Sequence, residues 1–383
     1  MRLPDRIWVP AAIGLALAVA FIGVLLVRAD GDASVLVHAG PPWTDSAGTR
    51  DSLTVQAADD AFDGQFFYRI GTAPWSTAET ENGVTFDLPA LRNARWGYGA
   101  LAWVASGGDP DLVPWTLIGL NVIAAAAVGA IGGGLARTAD RHAAWGTLFV
   151  LWPGFAYSLS LDTSELVASA FLLGGLLALR HRRWVLVAAL LTAAVLTRDT
   201  TTVVPFAVTL AAWGAGSDRV KHAISGAVPL GAFAGWQLLQ QARFGELPLT
   251  SSGDNNLTAP LSGLVDQVLK VVPPSGSAEL LRLVSIAGLV ALIGAAAWGF
   301  IRTRTERLDA ERLAWLGAVA VVLVLNAYLW SGATAFMRAA TEAGVLSMLV
   351  MIRSAPRRLL AAAGAGLTAL WLITVVAQAS KLG

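Results

Sequence analysis

Four short stretches of this 383-residue chain place acids and arginines where base catalysis and anion binding could occur. The first is "DDAFDGQFFYRI", residues 59–70. On a helix, Asp59, Asp63, Phe66 and Ile70 share one face at spacings of three and four. Acids that share a face with large apolar groups suggest an interfacial helix pressed on protein or lipid, with its carboxylates partly dry. There a carboxylate pKa rises and its basicity becomes useful. The alternative is a loop whose acids pair with Arg69, Arg92 or Arg95.

The second stretch is "LDTSEL", residues 161–166. Asp162 and Glu165 lie between two apolar runs, and the same spacing suits a cap for the following helix. The third is "LTRDT", residues 196–200. An arginine at a membrane boundary needs a partner, either Asp199 or an anionic ligand, and its planar fork of donors suits phosphate. The fourth is "WSGATAFMRAATEAG", residues 330–344. Arg338 and Glu342 stand at i and i+4, either as a helix-surface ion pair or as a second anion contact. The histidines, His38, His142, His181 and His222, are scattered without zinc spacing. No P-loop and no nucleophile elbow occurs. The glycines of "GAIGGGLA", residues 129–136, fall inside an apolar run and read as helix packing.

The elements that must position these residues are apolar. The chain is 55% hydrophobic and 14% charged, with mean hydropathy +0.61. A soluble domain of this length needs more charged surface, so the expected class is an all-α polytopic membrane protein. A net charge of +1 gives no electrostatic argument for nucleic acid. The absence of cysteine excludes disulfides and thiol chemistry. The first apolar run, 7–27, has the length to cross the hydrocarbon and reads as a retained transmembrane helix, not a cleaved signal. Further spans are expected near 113–136, 143–161, 166–179, 184–196, 202–214, 223–241, 281–301, 313–330, 341–352 and 359–379. That makes about eleven in a single domain over 1–383, with long outer loops at 28–112 and 243–280.

With a cytoplasmic N-terminus, the inner links are "RTADRH", "RHRR", "SDRVKH", "RTRTERLDAER" and "RSAPRR", all short and basic as the positive-inside rule requires. The outer links hold most of the acids: Asp59, Asp60, Asp63, Asp162, Glu165, Asp199, Glu246 and Glu342. "RWGYGALAW", residues 95–103, reads as a second interfacial element, since Trp and Tyr favour that depth.

At these residues the chain resembles the GT-C superfamily of membrane glycosyltransferases, which includes protein O-mannosyltransferases, PIG-V-like mannosyltransferases and bacterial aminoarabinose transferases. The resemblance rests on an acid in the first outer loop, within "DDAFDGQFFYRI"; on the acidic pair of "LDTSEL"; on "LTRDT", similar to an Arg-Glu-Thr element; and on the late arginine Arg338. It implies an inverting transferase that moves a hexose or pentose from a polyprenyl-phosphate carrier to a cell-envelope glycan, lipid or protein acceptor outside the cytoplasmic membrane. It further implies Asp63 as general base, with Asp59 and Asp60 as rivals. Asp162 and Glu165 would position the acceptor or a cation, and Arg198, Arg338 and Arg69 would bind the lipid phosphate. It leaves a divalent cation open. "RDT" departs from the usual pattern by a shorter acid. Two other functions compete: a polytopic transporter or lipid flippase, and a non-catalytic assembly partner of the same fold.

Overall fold

The computed structural model describes residues 5–251, 256–303 and 309–382, with the Asp59 side chain outside the described residues. The chain is almost wholly helical. The N-terminal part runs α1 (Trp8–Arg28), α2 (Gly64–Thr72), α3 (Pro89–Ala94), α4 (Trp96–Ser106) and α5 (Val113–Arg137). The middle holds α6 (Thr147–Val150), α7 (Pro153–Ser160), α8 (Glu165–Arg180), α9 (Trp184–Thr197), α10 (Val203–Ala211) and α11 (Arg219–Phe244). The remainder is α12 (Pro248–Ser251), α13 (Ser262–Val271), α14 (Ser277–Arg302), α15 (Ala310–Leu323), α16 (Ala327–Trp330), α17 (Ala333–Ala339), α18 (Thr341–Ser354) and α19 (Arg357–Ala379).

Among the described residues, four helices are long and apolar enough to cross a membrane: α1, α5, α14 and the helical run from 357 to 382. The pair α17–α18, bent by 56°, makes a fifth. The other apolar stretches are short or interrupted, for reasons visible locally. The run 143–161 breaks at Trp152, whose backbone is extended (ψ 120°) because the ring of Pro153 disfavours helical geometry in the residue before it. The run 313–330 breaks after Leu323. The Asn326 side chain then accepts from Leu329 N at 3.0 Å and starts a new turn. Many large apolar side chains stay exposed on helix surfaces, among them Val19, Ile123, Val185, Phe206, Leu238, Val290 and Val376. Such a surface is costly in water and suits lipid.

The first pair of long helices packs through small residues, as the sequence suggests. A Cβ on Gly129 would stand 2.2 Å from the Pro10 carbonyl oxygen, and one on Gly14 would stand 2.5 Å from that of Ala125. The missing side chains let the α1 and α5 backbones approach closely.

Between α1 and α5 lies a folded cap. Its strands Thr80–Glu81 and Val84–Thr85 form an antiparallel hairpin. Asn82 and Gly83 both take positive φ at its tip, the turn that an Asn-Gly pair favours. α2 is buried from Gly64 to Gly71. The expected mixed acidic and apolar face does not form, because the Asp59 backbone belongs to a separate short turn, 58–60, and Asp63 sits just ahead of the helix. Protein, not lipid, covers this segment.

The linking segments sort into two groups. Arg180 pairs with Glu311, Arg182 with Asp218 and Arg353 with Asp309; Arg141 donates to the carbonyl of Ala355, and Ala143 to Asp5. All of these belong to the N-terminal segment or the links read as inner. Asp63 with Arg338, Glu165 with Arg198, Ser160 with Gln378, and Arg243 with the Trp75 carbonyl all join links or span ends read as outer.

Candidate functional site

Asp63 is brought into place by its neighbours. Gly64 lets two backbones close in, since a Cβ there would lie 2.4 Å from the Val37 oxygen and 2.7 Å from that of Leu161. His38 fastens the same region: its ring nitrogens lie 2.9 Å from the Asp60 carbonyl and 3.2 Å from that of Ser160. Phe62 N donates to His38 O at 2.9 Å. The loop that carries Asp63 is thereby pinned to the link between α7 and α8.

Asp63 does not cap α2. Its Oδ1 accepts from Arg92 Nη1 at 2.8 Å and its Oδ2 from Arg338 Nη2 at 3.0 Å. Arg338 Nε donates to Glu165 Oε1 at 2.8 Å, and Arg198 Nη1 donates to the same oxygen at 2.8 Å. Arg198 Nε donates to Glu342 Oε1 at 2.9 Å, and Arg198 Nη2 donates to the Arg338 carbonyl at 2.7 Å. Ser158 and Thr200 hydroxyls complete Glu165 and Glu342. The result is one continuous relay from Asp87 through Arg92, Asp63, Arg338, Glu165 and Arg198 to Glu342. Side-chain exposure falls inward along it, from 26% at Asp63 through 9% at Arg338 to none at Glu165. Charges this dry persist only when each is paired and hydrogen-bonded. Asp63, the most exposed member of the relay, is therefore the part that can meet a ligand.

The electrostatics reverse the expected sign at Asp63. Burial pushes its carboxyl up, but Arg92, then Arg338 and Arg95, outweigh burial and hold it well below the usual carboxylate range. The expectation of a raised pKa considered dryness alone; the alternative, an acid paired with Arg92, is what forms at Asp63, and Arg338 joins it from a distant stretch.

Asp162 shows the opposite case. It is fully buried, with φ +44°, and neither carboxylate oxygen has a hydrogen-bond partner among the described residues. Burial pushes its carboxyl well above the usual range. It does not cap α8, whose capping position is Ser164 with no side-chain bond.

Of the residues singled out from sequence, the structure brings together Asp63, Glu165, Arg198 and Arg338, drawn from four separate stretches. Asp162 lies in the same link as Glu165 but outside the relay. Asp60 is exposed and offers only its backbone carbonyl to His38. The side chain of Asp59 lies outside the described residues. Arg69 stands apart. Its guanidinium donates to the Glu79 and Ala78 carbonyls and stacks 3.8 Å over Phe86, so it braces the hairpin and has no contact with the relay. Two expected pairings also differ. Glu342 partners Arg198, not Arg338, because the α17–α18 bend turns the i,i+4 geometry away. Asp199 partners Arg95 at 3.2 Å, not Arg198.

Arg92, offered by the sequence as an alternative partner of the first-loop acids, pairs with Asp63, and Glu342, singled out beside Arg338, joins the relay through Arg198. The only sequence signal for Arg92 was a basic residue within reach of the first-loop acids. Among the described residues no group of three or more His, Cys, Asp or Glu side chains is placed to hold a metal ion. Comparison of the chain with protein-family models, with curated proteins and with solved structures finds no match.

Proposed function

We propose that the protein is a membrane glycosyltransferase that moves a sugar from a polyprenyl-phosphate carrier to an acceptor on the outer face of the cytoplasmic membrane. The observation that carries this reading is the convergence of Asp63, Glu165, Arg338 and Arg198 into one relay whose most exposed member is a carboxylate between two arginines. That position combines the two groups inverting transfer from a lipid phosphate requires. The acceptor oxygen attacks the anomeric carbon and its proton passes to Asp63. The bond from that carbon to the phosphate oxygen breaks, and the departing phosphate is neutralised by guanidinium.

The low pKa of Asp63 makes it a weak base while both arginines hold it. A phosphate at Arg338 or Arg92 competes for the same donors, so donor binding would free the carboxylate and raise its basicity. Arg198 has less to offer a ligand, since each of its three nitrogens already donates, to Glu342, Glu165 and the Arg338 carbonyl. Its part is to hold the relay, while Arg338 and Arg92 flank Asp63, the most exposed member.

The test is sugar transfer by the reconstituted protein from a labelled polyprenyl-phosphate sugar to membrane extract, wild type beside Asp63→Asn. The expected result is a loss of about 10²–10⁴-fold in the variant with folding intact. Transfer unchanged in the variant moves the base elsewhere, and no transfer by wild type across a panel of sugars sinks the reading. One observation favours the transport alternative: Asp162, a buried acid without a partner, is the kind of group that proton-coupled carriers use. Substrate accumulation in vesicles without a covalent product, lost in Asp162→Asn, would select it.

A further inference from the structure

A second polar seat lies beside the relay, where α11 crosses both α3 and the short turn Asp199–Thr202. Arg95, at the end of α3, reaches this turn and binds Asp199 through Nε alone. Its terminal nitrogens have no partner among the described residues, and its side chain is 26% exposed. It is thus a guanidinium with its donor fork unspent, unlike Arg198 and Arg92.

α11 supplies the second observation. Its buried residues include two glutamines, Gln237 at 3% exposure and Gln240 at 0%. Neither the amide nitrogen nor the carbonyl oxygen of Gln237 has a partner, and the Gln240 amide nitrogen lacks one too. Buried amides left unmet are costly, and folded proteins rarely tolerate them without water or a ligand. One helical turn of α11 holds both.

The third observation is the surroundings. Trp75, Trp96 and Trp236 cluster beside this crossing, with ring centroids 4.8, 5.2 and 6.2 Å apart. The indole nitrogens of Trp96 and Trp236 donate to the Pro74 and Asn93 carbonyls, which fixes those two rings, while Trp75 stays exposed. Leu238 and Leu239 on α11 are exposed as well. A polar seat with one guanidinium whose terminal nitrogens are unspent, edged by indoles and open to an apolar surface, matches an amphiphile with an anionic head.

We propose that the crossing of α11 with α3 and the Asp199–Thr202 turn seats the head of a membrane lipid phosphate, with Arg95 as its charge, Gln237 and Gln240 as its hydrogen-bonding amides, and the tryptophan cluster beside its chain. The seat adjoins the relay through Arg95, whose charge also reaches Asp63, so a lipid held there presents its phosphate next to Arg92 and Arg338. This inference rests on the proposed function only for the kind of lipid.

The experiment measures equilibrium binding of radiolabelled farnesyl phosphate to the full chain in nanodiscs, with farnesol and inorganic phosphate as competitors. Wild type should bind farnesyl phosphate and resist a hundred-fold excess of inorganic phosphate. Arg95→Gln should weaken binding at least ten-fold, and Gln237→Leu at least three-fold. The Gln237→Leu protein, relieved of an unmet amide, should melt no lower than wild type. If Arg95→Gln does not fold, Arg95→Lys and Gln237→Leu carry the test. Equal binding by wild type and both variants, or no binding by wild type, overturns the proposal. Displacement by inorganic phosphate as readily as by the lipid overturns the lipid as ligand. Binding that follows these expectations in a protein without sugar transfer sinks the transferase reading and leaves the seat standing.

Discussion

At the scale of single residues, Asp63 and Asp162 carry opposite electrostatic signatures, and pH separates them. Asp63 is held below the ordinary carboxylate range by Arg92, Arg338 and Arg95, against burial. A depressed folded pKa gives stabilisation that is complete above the unfolded value, about 3.9, and is lost as pH falls through the folded value. The melting temperature of Asp63→Asn should therefore fall short of wild type by a constant gap between pH 5 and 8, and the gap should narrow below about pH 4. Asp162 is raised by burial and has nothing to offset it. Its unfolded form ionises near pH 4 while its folded form stays neutral, so wild-type stability declines as pH rises above about 4. Asp162→Asn removes that decline. It should melt higher than wild type at pH 7 and equal to it near pH 4, in the same detergent and salt. A pH-independent difference in either variant would show that packing, not charge, governs that position.

At the scale of elements, small residues and proline decide where helices stop and how close they come. The α1–α5 contact tests this within one helix. Gly129→Ala places a methyl 2.2 Å from the Pro10 carbonyl oxygen, whereas Gly119→Ala on the same helix meets nothing within 4 Å. The first should cost about 1–3 kcal/mol by overpacking. The second should stabilise by up to about 1 kcal/mol through helix propensity. Equal effects in thermal denaturation would refute the close approach. The same physics explains what the sequence displayed. Apolar runs such as 7–27 and 113–136 are legible because one side chain after another is greasy, and the helices at 8–28 and 113–137 match them within a residue. The break before Pro153 was also written in the chain, but it interrupts a run whose composition stays apolar, so hydropathy passes over it. Asp63, Glu165, Arg198 and Arg338 stood out because charge is rare in such surroundings. Which of them pair did not show, since pairing across the chain, as of Glu165 with Arg338, depends on how helix ends meet. Arg69 misled for a related reason. Only the fold shows that its donors go to backbone carbonyls of a hairpin.

At the scale of the whole molecule, the sorting of the links ties the relay to one side. The basic links pair among themselves, as Arg180 with Glu311 and Arg353 with Asp309. The acid-bearing segments converge on Asp63, Glu165 and Glu342. Random assignment of links to two ends would mix these partners. The separation is the three-dimensional counterpart of the alternation in charge along the sequence, and the orientation we propose, with the basic end toward the cytoplasm, is the one the positive-inside rule expects. The chain has no cysteine, so each introduced thiol is a unique reporter. Ser46 lies exposed in the first long loop and Arg182 lies exposed in a basic link. A membrane-impermeant maleimide added to intact cells should label Ser46→Cys and spare Arg182→Cys, and both should react once the membrane is opened. Labelling of both from outside would break the two-ended arrangement. The reversed pattern would keep the two ends and turn the relay toward the cytoplasm. There a lipid-linked donor would have to be met on the inner leaflet, and the proposed reaction would need an acceptor on that side.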